Sequence, residues 1–349
     1  MVYVYSALPP IEYIEEGRGH LAMSDHPFTY EFTIPEAWHG RKLKSLLQSE
    51  LKFSTRLLRT MAPYEGVLKN GQLAYLNQPV SEGDKILVKL PREHSDIPPE
   101  PMDLDIRYED AEVIVINKPP GMLTHPTARE RTGTLLAGVA YHLQGQGAVP
   151  HSVHRLDRDT SGVVMFAKHA HIHHLFDIAL RNDKMHRAYC ALVWHDQAFD
   201  IGEVGEWRTI DLPIGMDPNR PSRRIITASG QRAITHYRVL GRTEHISAVH
   251  IRLETGRTHQ IRLHFSAMGM PLVGDPVYGA GSQQNPSTAA LPIPFERQAL
   301  HAVHLTWEHP VTHQTQTATA PVASDIRRLW VALGGDEVVW REVETTPDA

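Results

Sequence analysis

The run His154-Arg155-Leu156-Asp157-Arg158-Asp159-Thr160-Ser161-Gly162 is followed at once by the apolar stretch Val163 to Ala167. An ionisable cluster set directly against a buried strand describes a reactive loop on a rigid scaffold, because loops carry chemistry while strands hold it still. Asp157 is the carboxylate this arrangement singles out. An aspartate can serve as a nucleophile or as an acid or base, and a nearby cation favours its charged form. Arg262, in a second motif at a strand end, is a candidate partner. Arg155 lies two residues from Asp157, and its side chain is expected to point elsewhere.

The chain offers no glycine-rich phosphate loop, no dinucleotide fingerprint, no HExxH and no cysteine pair in its 349 residues. No cofactor and no metal is therefore expected, and catalysis falls to side chains. His169, His171, His173 and His174 invite a metal reading, with His171 and His174 on one helical face. No carboxylate or cysteine set completes a ligand pattern, so the four are read as a solvated surface. The single cysteine, Cys190, excludes an internal disulfide framework. The start, MVYVYSALPP, lacks the basic and long apolar regions of a signal peptide, and no segment is apolar enough for a membrane span. A soluble, cytoplasmic monomer is the expectation.

The net charge of -5 argues against a nucleic-acid partner until its distribution is read. Residues 1–36 hold one basic residue and six acidic ones, whereas Arg41 to Lys69 holds seven basic residues and two acidic ones. A solvated helix face accounts for such a run as readily as an RNA-binding patch does. Its local pattern says more. Leu43, Leu46, Leu47 and Leu51 recur at helical spacing, Ser54 can cap a second short helix carrying Leu57, Leu58 and Met61, and Asn70-Gly71 is a hairpin turn. This helix, helix, hairpin unit resembles the small ribosomal S-four-like RNA-binding fold, with Arg41, Lys44, Arg56 and Arg59 as its RNA-facing cations.

The organisation expected is an acidic leader over 1–36, the S-four-like domain over 37–90, a proline-rich linker over 91–104, a catalytic domain over 105–335 and a tail over 336–349 that becomes disordered from about Val343. In the catalytic domain, strands are predicted at Val113 to Ile116, Val163 to Lys168, Ala188 to Trp194 and 246–253, with helices at Leu135 to Leu143 and His169 to Ala179. Residues 280–294 read as a loop, and Arg297 to Leu305 as a short element returning to the core.

Five motifs then stand in a telling order: INKPPGM (Ile116 to Met122), HRLDRDTSG, Tyr189 after a basic run, GRTHQIRLH with GDPVYG, and RQALHA. Together, from about Asp105 to Pro321, they resemble the RluA-type family of RNA pseudouridine synthases. The resemblance implies an α+β fold with a mixed, largely antiparallel central sheet and flanking helices, and an isomerase that converts chosen uridines in ribosomal or transfer RNA to pseudouridine without metal or organic cofactor. It also implies residue roles. Asp157 would be the nucleophile, Tyr189 would stack on a flipped uracil and take the carbon 5 proton, and Arg262 would pair with Asp157. Leu263 and Thr160 would line the substrate pocket, and Arg155 would fill the space that the flipped base leaves. Extrusion is physically required, since a stacked base is out of reach. Attack at carbon 6 of the base, attack at carbon 1′ of the ribose and a glycal route all remain open. His151 stands where a basic arginine is often found, and the acidic leader is no family feature.

Two rival readings use the same residues. A non-catalytic RNA-binding protein of this fold has no need of Asp157 and Tyr189, yet both are present. A serine hydrolase built on Ser161 lacks the nucleophile-elbow glycines.

Overall fold

A computed structural model describes residues 12–13, 28–61, 66–195, 200–221, 223–279 and 291–345. The N-terminal unit contains β1 (Glu12–Tyr13), β2 (Thr29–Thr33), α1 (Leu43–Ser49), α2 (Thr55–Met61), β3 (Val67–Lys69), β4 (Gln72–Leu73) and β5 (Lys85–Lys89). The helix, helix, hairpin order is the expected one. Leu43, Leu46 and Leu47 are fully buried, the Leu57 N–H donates to the Ser54 hydroxyl at 3.1 Å, and Asn70 and Gly71 both take the left-handed backbone of a tight hairpin turn. The boundary moves, however. β2 pairs antiparallel with β5 along its whole length, buries Tyr30 and Phe32 and carries β1 on its other edge, so this unit takes in strands that precede residue 37. Its alternation of aromatic and polar residues is the period of a half-buried strand, and it lies inside what was read as leader.

The catalytic unit contains β6 (Ile106–Glu109), β7 (Val113–Lys118), α3 (Leu135–His142), β8 (His151–Ser152), β9 (Ser161–Ala167), α4 (Ala170–Arg181), β10 (Met185–Trp194), β11 (Trp207–Asp211), β12 (Ile214–Met216), β13 (Arg224–Ile226), β14 (Ile234–Arg242), β15 (Ile246–Leu253), α5 (Gln260–Ala267), β16 (Leu300–Glu308), β17 (Thr315–Thr319), α6 (Ser324–Ala332) and α7 (Val338–Thr345). Its main sheet runs β11-β14-β15-β10-β16-β9-β7-β6, with β17 on β16 and β8 on β9. Every pairing is antiparallel except β16 with β9, so the sheet is mixed and largely antiparallel. The element at Arg297 to Leu305 is larger than expected: β16 is a central nine-residue strand.

The parallel contact positions the site. Gly162 lies beside Ala302 with φ +112, and a Cβ there would stand 2.1 Å from the Ala302 carbonyl oxygen, so only glycine admits this approach. Ala302 pairs on its other side with Tyr189, at a register shift between Ala188 and Tyr189 of the kind that re-aims a side chain. Two strand spacings, about 10 Å, therefore separate the start of β9 from Tyr189. The end of β15, next to β10, leads into α5.

Three further expectations change. Residues 338–345 form α7, whose Trp340 and Val343 are fully buried against the sheet, so the tail is part of the core at least to Thr345. Most of the 280–294 loop, residues 280–290, falls outside the described residues, as does the tail end, 346–349. The histidines of the α4 segment are not a solvated surface: His169 and His171 are buried. The N-terminal unit covers them. Phe53 stacks on the His171 ring with centroids 4.1 Å apart, His169 lies 2.6 Å from Glu112, and the Tyr30 hydroxyl donates to Glu112 at 3.1 Å. The linker is pinned too, since Glu93 accepts from the Ala170 N–H at the start of α4 (2.8 Å) and binds His151 (2.6 Å).

Candidate active site

Asp157 sits in the loop between β8 and β9, whose turn is closed by the Thr160 N–H donating to the Asp157 carbonyl at 3.1 Å. From below, the wholly buried Lys118 ammonium donates to the carbonyls of Pro119, Met122 and Arg158 at 2.8–2.9 Å. Three acceptors use all three of its N–H groups and tie the end of INKPPGM to the Asp157 loop. Burial pulls its pKa down to about 7, a lowering the Asp159 and Asp157 charges oppose.

Arg262 reaches Asp157 from α5. Its Nη1 donates to Asp157 Oδ2 at 3.0 Å, while Nε and Nη2 donate to the two carboxylate oxygens of Asp275 at 2.7 and 2.9 Å. Asp275 is fixed in turn by the N–H groups of Val277 and Tyr278 at 2.8 and 3.0 Å. Those contacts, with the guanidinium, hold the Asp275 carboxyl below its usual range against the opposing effect of burial. The fork of Arg262 is thus locked on one side and offers a single N–H to Asp157 on the other. Asp157 Oδ1 has no hydrogen bond among the described residues, and His259 Nε2 lies 3.9 Å from it.

His259 opens α5 in a left-handed conformation, φ 59°, uncommon for a residue with a side chain. Gln260 holds that turn in place: its side chain donates to the Ile234 carbonyl and accepts from the Arg257 N–H at 2.9 and 3.0 Å. His259 Nδ1 is hydrogen-bonded to the Tyr278 hydroxyl at 2.8 Å, and burial lowers the imidazole pKa so that the neutral ring is favoured.

Asp157, Arg262, Tyr189, Thr160 and Arg155 line one cavity of about 240 Å³, with Leu156, Ile261 and Leu300 among its apolar walls. The structure therefore gathers five of the six residues expected at the pocket. Leu263 is the exception. One position beyond Arg262 on α5, it turns away and packs with Ile214 and Ala233 in a separate small cluster. Burial pushes the Tyr189 phenol above its usual pKa, an effect opposed by Arg187 and reinforced by Asp157. A neutral phenol presents a ring face but is not a base. Arg41, Lys44, Arg56 and Arg59 stand apart on the N-terminal unit. Lys44, Arg56 and Arg59 are exposed, whereas Arg41 is drawn into an ion pair with Glu50 at 2.9 Å. Among the described residues no group of three or more histidine, cysteine or carboxylate side chains is arranged to hold a metal ion, and no helix is long and apolar enough to cross a membrane.

Asp275, His259 and Lys118 were not singled out from sequence. Asp275 lies within GDPVYG, and an aspartate in a fixed turn close after an arginine motif was the available signal. Lys118 lies in the INKPPGM motif, where it is the one charge at the end of a largely apolar strand.

Known proteins share this organisation. The family model described as RNA pseudouridylate synthase matches residues 112–267, and that of the RluD ribosomal pseudouridine synthase N-terminal domain matches residues 30–86. An uncharacterized RNA pseudouridine synthase of Bacillus subtilis (strain 168) is 38% identical over 304 residues, covering 86% of this chain and 95% of its own length. The ribosomal large subunit pseudouridine synthase D of Xylella fastidiosa is 35% identical over 327 residues, covering 91% and 96%. Among solved structures, human RNA pseudouridylate synthase domain containing 4 matches with a TM-score of 0.52 at 25% identity, over 66% of this chain and 92% of that one.

Proposed function

The chain belongs to the RNA pseudouridine synthase family, whose members are isomerases, and from that premise we propose that it converts specific uridines of large-subunit ribosomal RNA to pseudouridine, with Asp157 as nucleophile. The observation that carries the proposal is the Asp157–Arg262–Asp275 relay opening into the same cavity as Tyr189. The ribosomal target is supported by the name of the Xylella relative, a ribosomal large subunit pseudouridine synthase, and by the N-terminal match.

The isomerisation breaks the bond from nitrogen 1 to ribose carbon 1′, forms one from carbon 5 to carbon 1′, and moves a proton from carbon 5 to nitrogen 1. It is redox-neutral and calls on nothing beyond side chains. Arg262 aligns the Asp157 carboxylate, leaving Oδ1 for the nucleoside. A uridine can enter only after leaving its stack, which costs a few kcal/mol. Stacking on the Tyr189 ring offsets part of that cost, about 1–3 kcal/mol per base. The raised phenol pKa favours this stacking role over proton abstraction. Arg155, exposed at the rim, can occupy the gap left in the RNA. Lys44, Arg56 and Arg59 then supply backbone contacts from the N-terminal unit, which position RNA without reading its sequence.

Pseudouridine mapping of total RNA from a strain lacking the protein, beside its parent, tests the proposal. Loss of one or a few sites in large-subunit RNA is expected. An unchanged large-subunit profile with a lost transfer RNA site would move the target, and an unchanged profile in all RNA would reject the assignment.

A further inference from the structure

Several buried or half-buried arginines among the described residues find carboxylates. Arg262 has Asp157 and Asp275, Arg297 has Asp325 at 2.7 Å, and Arg327 has Glu344. Arg187 does not. Its Nε is buried with no hydrogen-bond partner, and among the described residues no carboxylate lies within ion-pair distance of its guanidinium. Arg187 is half-buried, and a cation partly removed from water without a carboxylate is a place where an anion can bind.

Its surroundings are consistent with that reading. Arg187 lines the Asp157 cavity two residues before Tyr189, and it also borders a smaller recess lined by His186, Arg252 and Thr306. Its Nη1 lies against Gly256, where a Cβ would come within 2.4 Å, so the glycine of the Thr255–His259 turn leaves room for the guanidinium. The cavity wall carries Arg155, Arg187, Arg257 and Arg262 against the single carboxylate of Asp157, which Arg262 already engages. An excess of positive charge around a nucleoside-sized opening suits a ligand whose base is neutral and whose backbone is anionic.

We propose that Arg187 is the phosphate clamp of the cavity, binding a phosphodiester that flanks the uridine held over Asp157. This rests on the assignment of the chain's substrate as RNA uridine. The contact would place the nucleotide against the Tyr189 ring from its backbone side, while Asp157 acts on the nucleoside. A guanidinium donates to two phosphate oxygens at once, and a lysine at this position retains the charge without the fork.

The test uses the full chain and a synthetic RNA of about 20 nucleotides centred on the mapped uridine, or oligouridine of that length if mapping yields none. Wild type, Arg187→Gln and Arg187→Lys are compared for binding across a salt series. Each linkage next to the target is then replaced in turn by a neutral methylphosphonate, with 2′-O-methyl ribose on its 5′ side in the charged control as well. One lost phosphate contact should lower the slope of log affinity against log salt by about 0.7–0.9 in Arg187→Gln, with most of the slope kept in Arg187→Lys. At one of the two linkages the methylphosphonate should weaken wild type by about tenfold and leave Arg187→Gln unchanged. Equal losses in wild type and Arg187→Gln at both linkages, or an unaltered salt slope, would overturn the inference. Wild type that binds with the expected linkage dependence but forms no pseudouridine would instead count against the assigned reaction and leave the clamp standing.

Discussion

The cavity and the N-terminal helices both present arginines, and they do so in opposite ways. In the cavity Arg262 is buried, its fork fully engaged by Asp275 and Asp157. On α2, Arg56 and Arg59 are exposed, three residues apart on one face, with no ion pair among the described residues. Chemistry needs a charge fixed to within a fraction of an ångström, whereas capture of a polyanion needs charges free to exchange water and counterions for phosphate. In the proposed function one unit orients and the other collects. The docking contacts of Tyr30, Phe53, Glu112, His169 and His171 join the two units.

That contrast can be broken most forcefully at Asp275. Asp275→Asn leaves the buried Arg262 half-compensated and frees its aim, so a stability loss of about 3–5 kcal/mol and a turnover loss of about 100-fold in the folded protein are expected, with RNA affinity little changed. Denaturant unfolding and single-turnover rates measure these; wild-type turnover would show that the fork does not need its anchor.

Acid should separate the regions next. His301 and His154, both in the catalytic unit, are held neutral by burial, with pKa values of about 4 and about 3 against an ordinary 6.5. Their neutral forms contribute fully above pH 6.5. That contribution is lost as pH falls toward the folded values, because the unfolded chain takes up protons first. At pH 5 each should cost about 2 kcal/mol relative to pH 7. The arginines of α2 do not titrate there. A Tm unchanged from pH 7 to pH 5 would contradict this.

Charge reversal at Arg56 and Arg59 should have a smaller effect and a different signature: RNA binding about tenfold weaker, a flatter salt dependence, and unchanged turnover at saturating RNA. Arg41→Gln should do less still, since Glu50 already neutralises that side chain. Equal effects of the two changes would remove the distinction between free and paired cations.

Much of this was legible before any coordinates. The order of motifs led to the family, and Asp157, Tyr189 and Arg262 meet because strand and loop patterns fixed by local residues recur in the sheet. What sequence concealed depends on tertiary partners. His169 and His171 read as solvated because the surface that covers them belongs to a unit more than a hundred residues earlier. Leu263 follows Arg262 in sequence, yet one helical step points it into another cluster. Trp340 and Val343 sit at helical spacing, but the high charge around them concealed a buried helix. Arg187 carried no sign of its isolation, since an unpaired charge is recognised only once its neighbours are known.

In the proposed function Asp157 performs the reaction in a cavity whose RNA binding it does not control. The most direct measurement compares purified wild type and Asp157→Asn on RNA from the strain lacking the protein, reading pseudouridine at the mapped uridine together with binding affinity. Full modification by wild type, none by Asp157→Asn, and affinities within a few-fold of each other are expected. Pseudouridine formed by Asp157→Asn would contradict this.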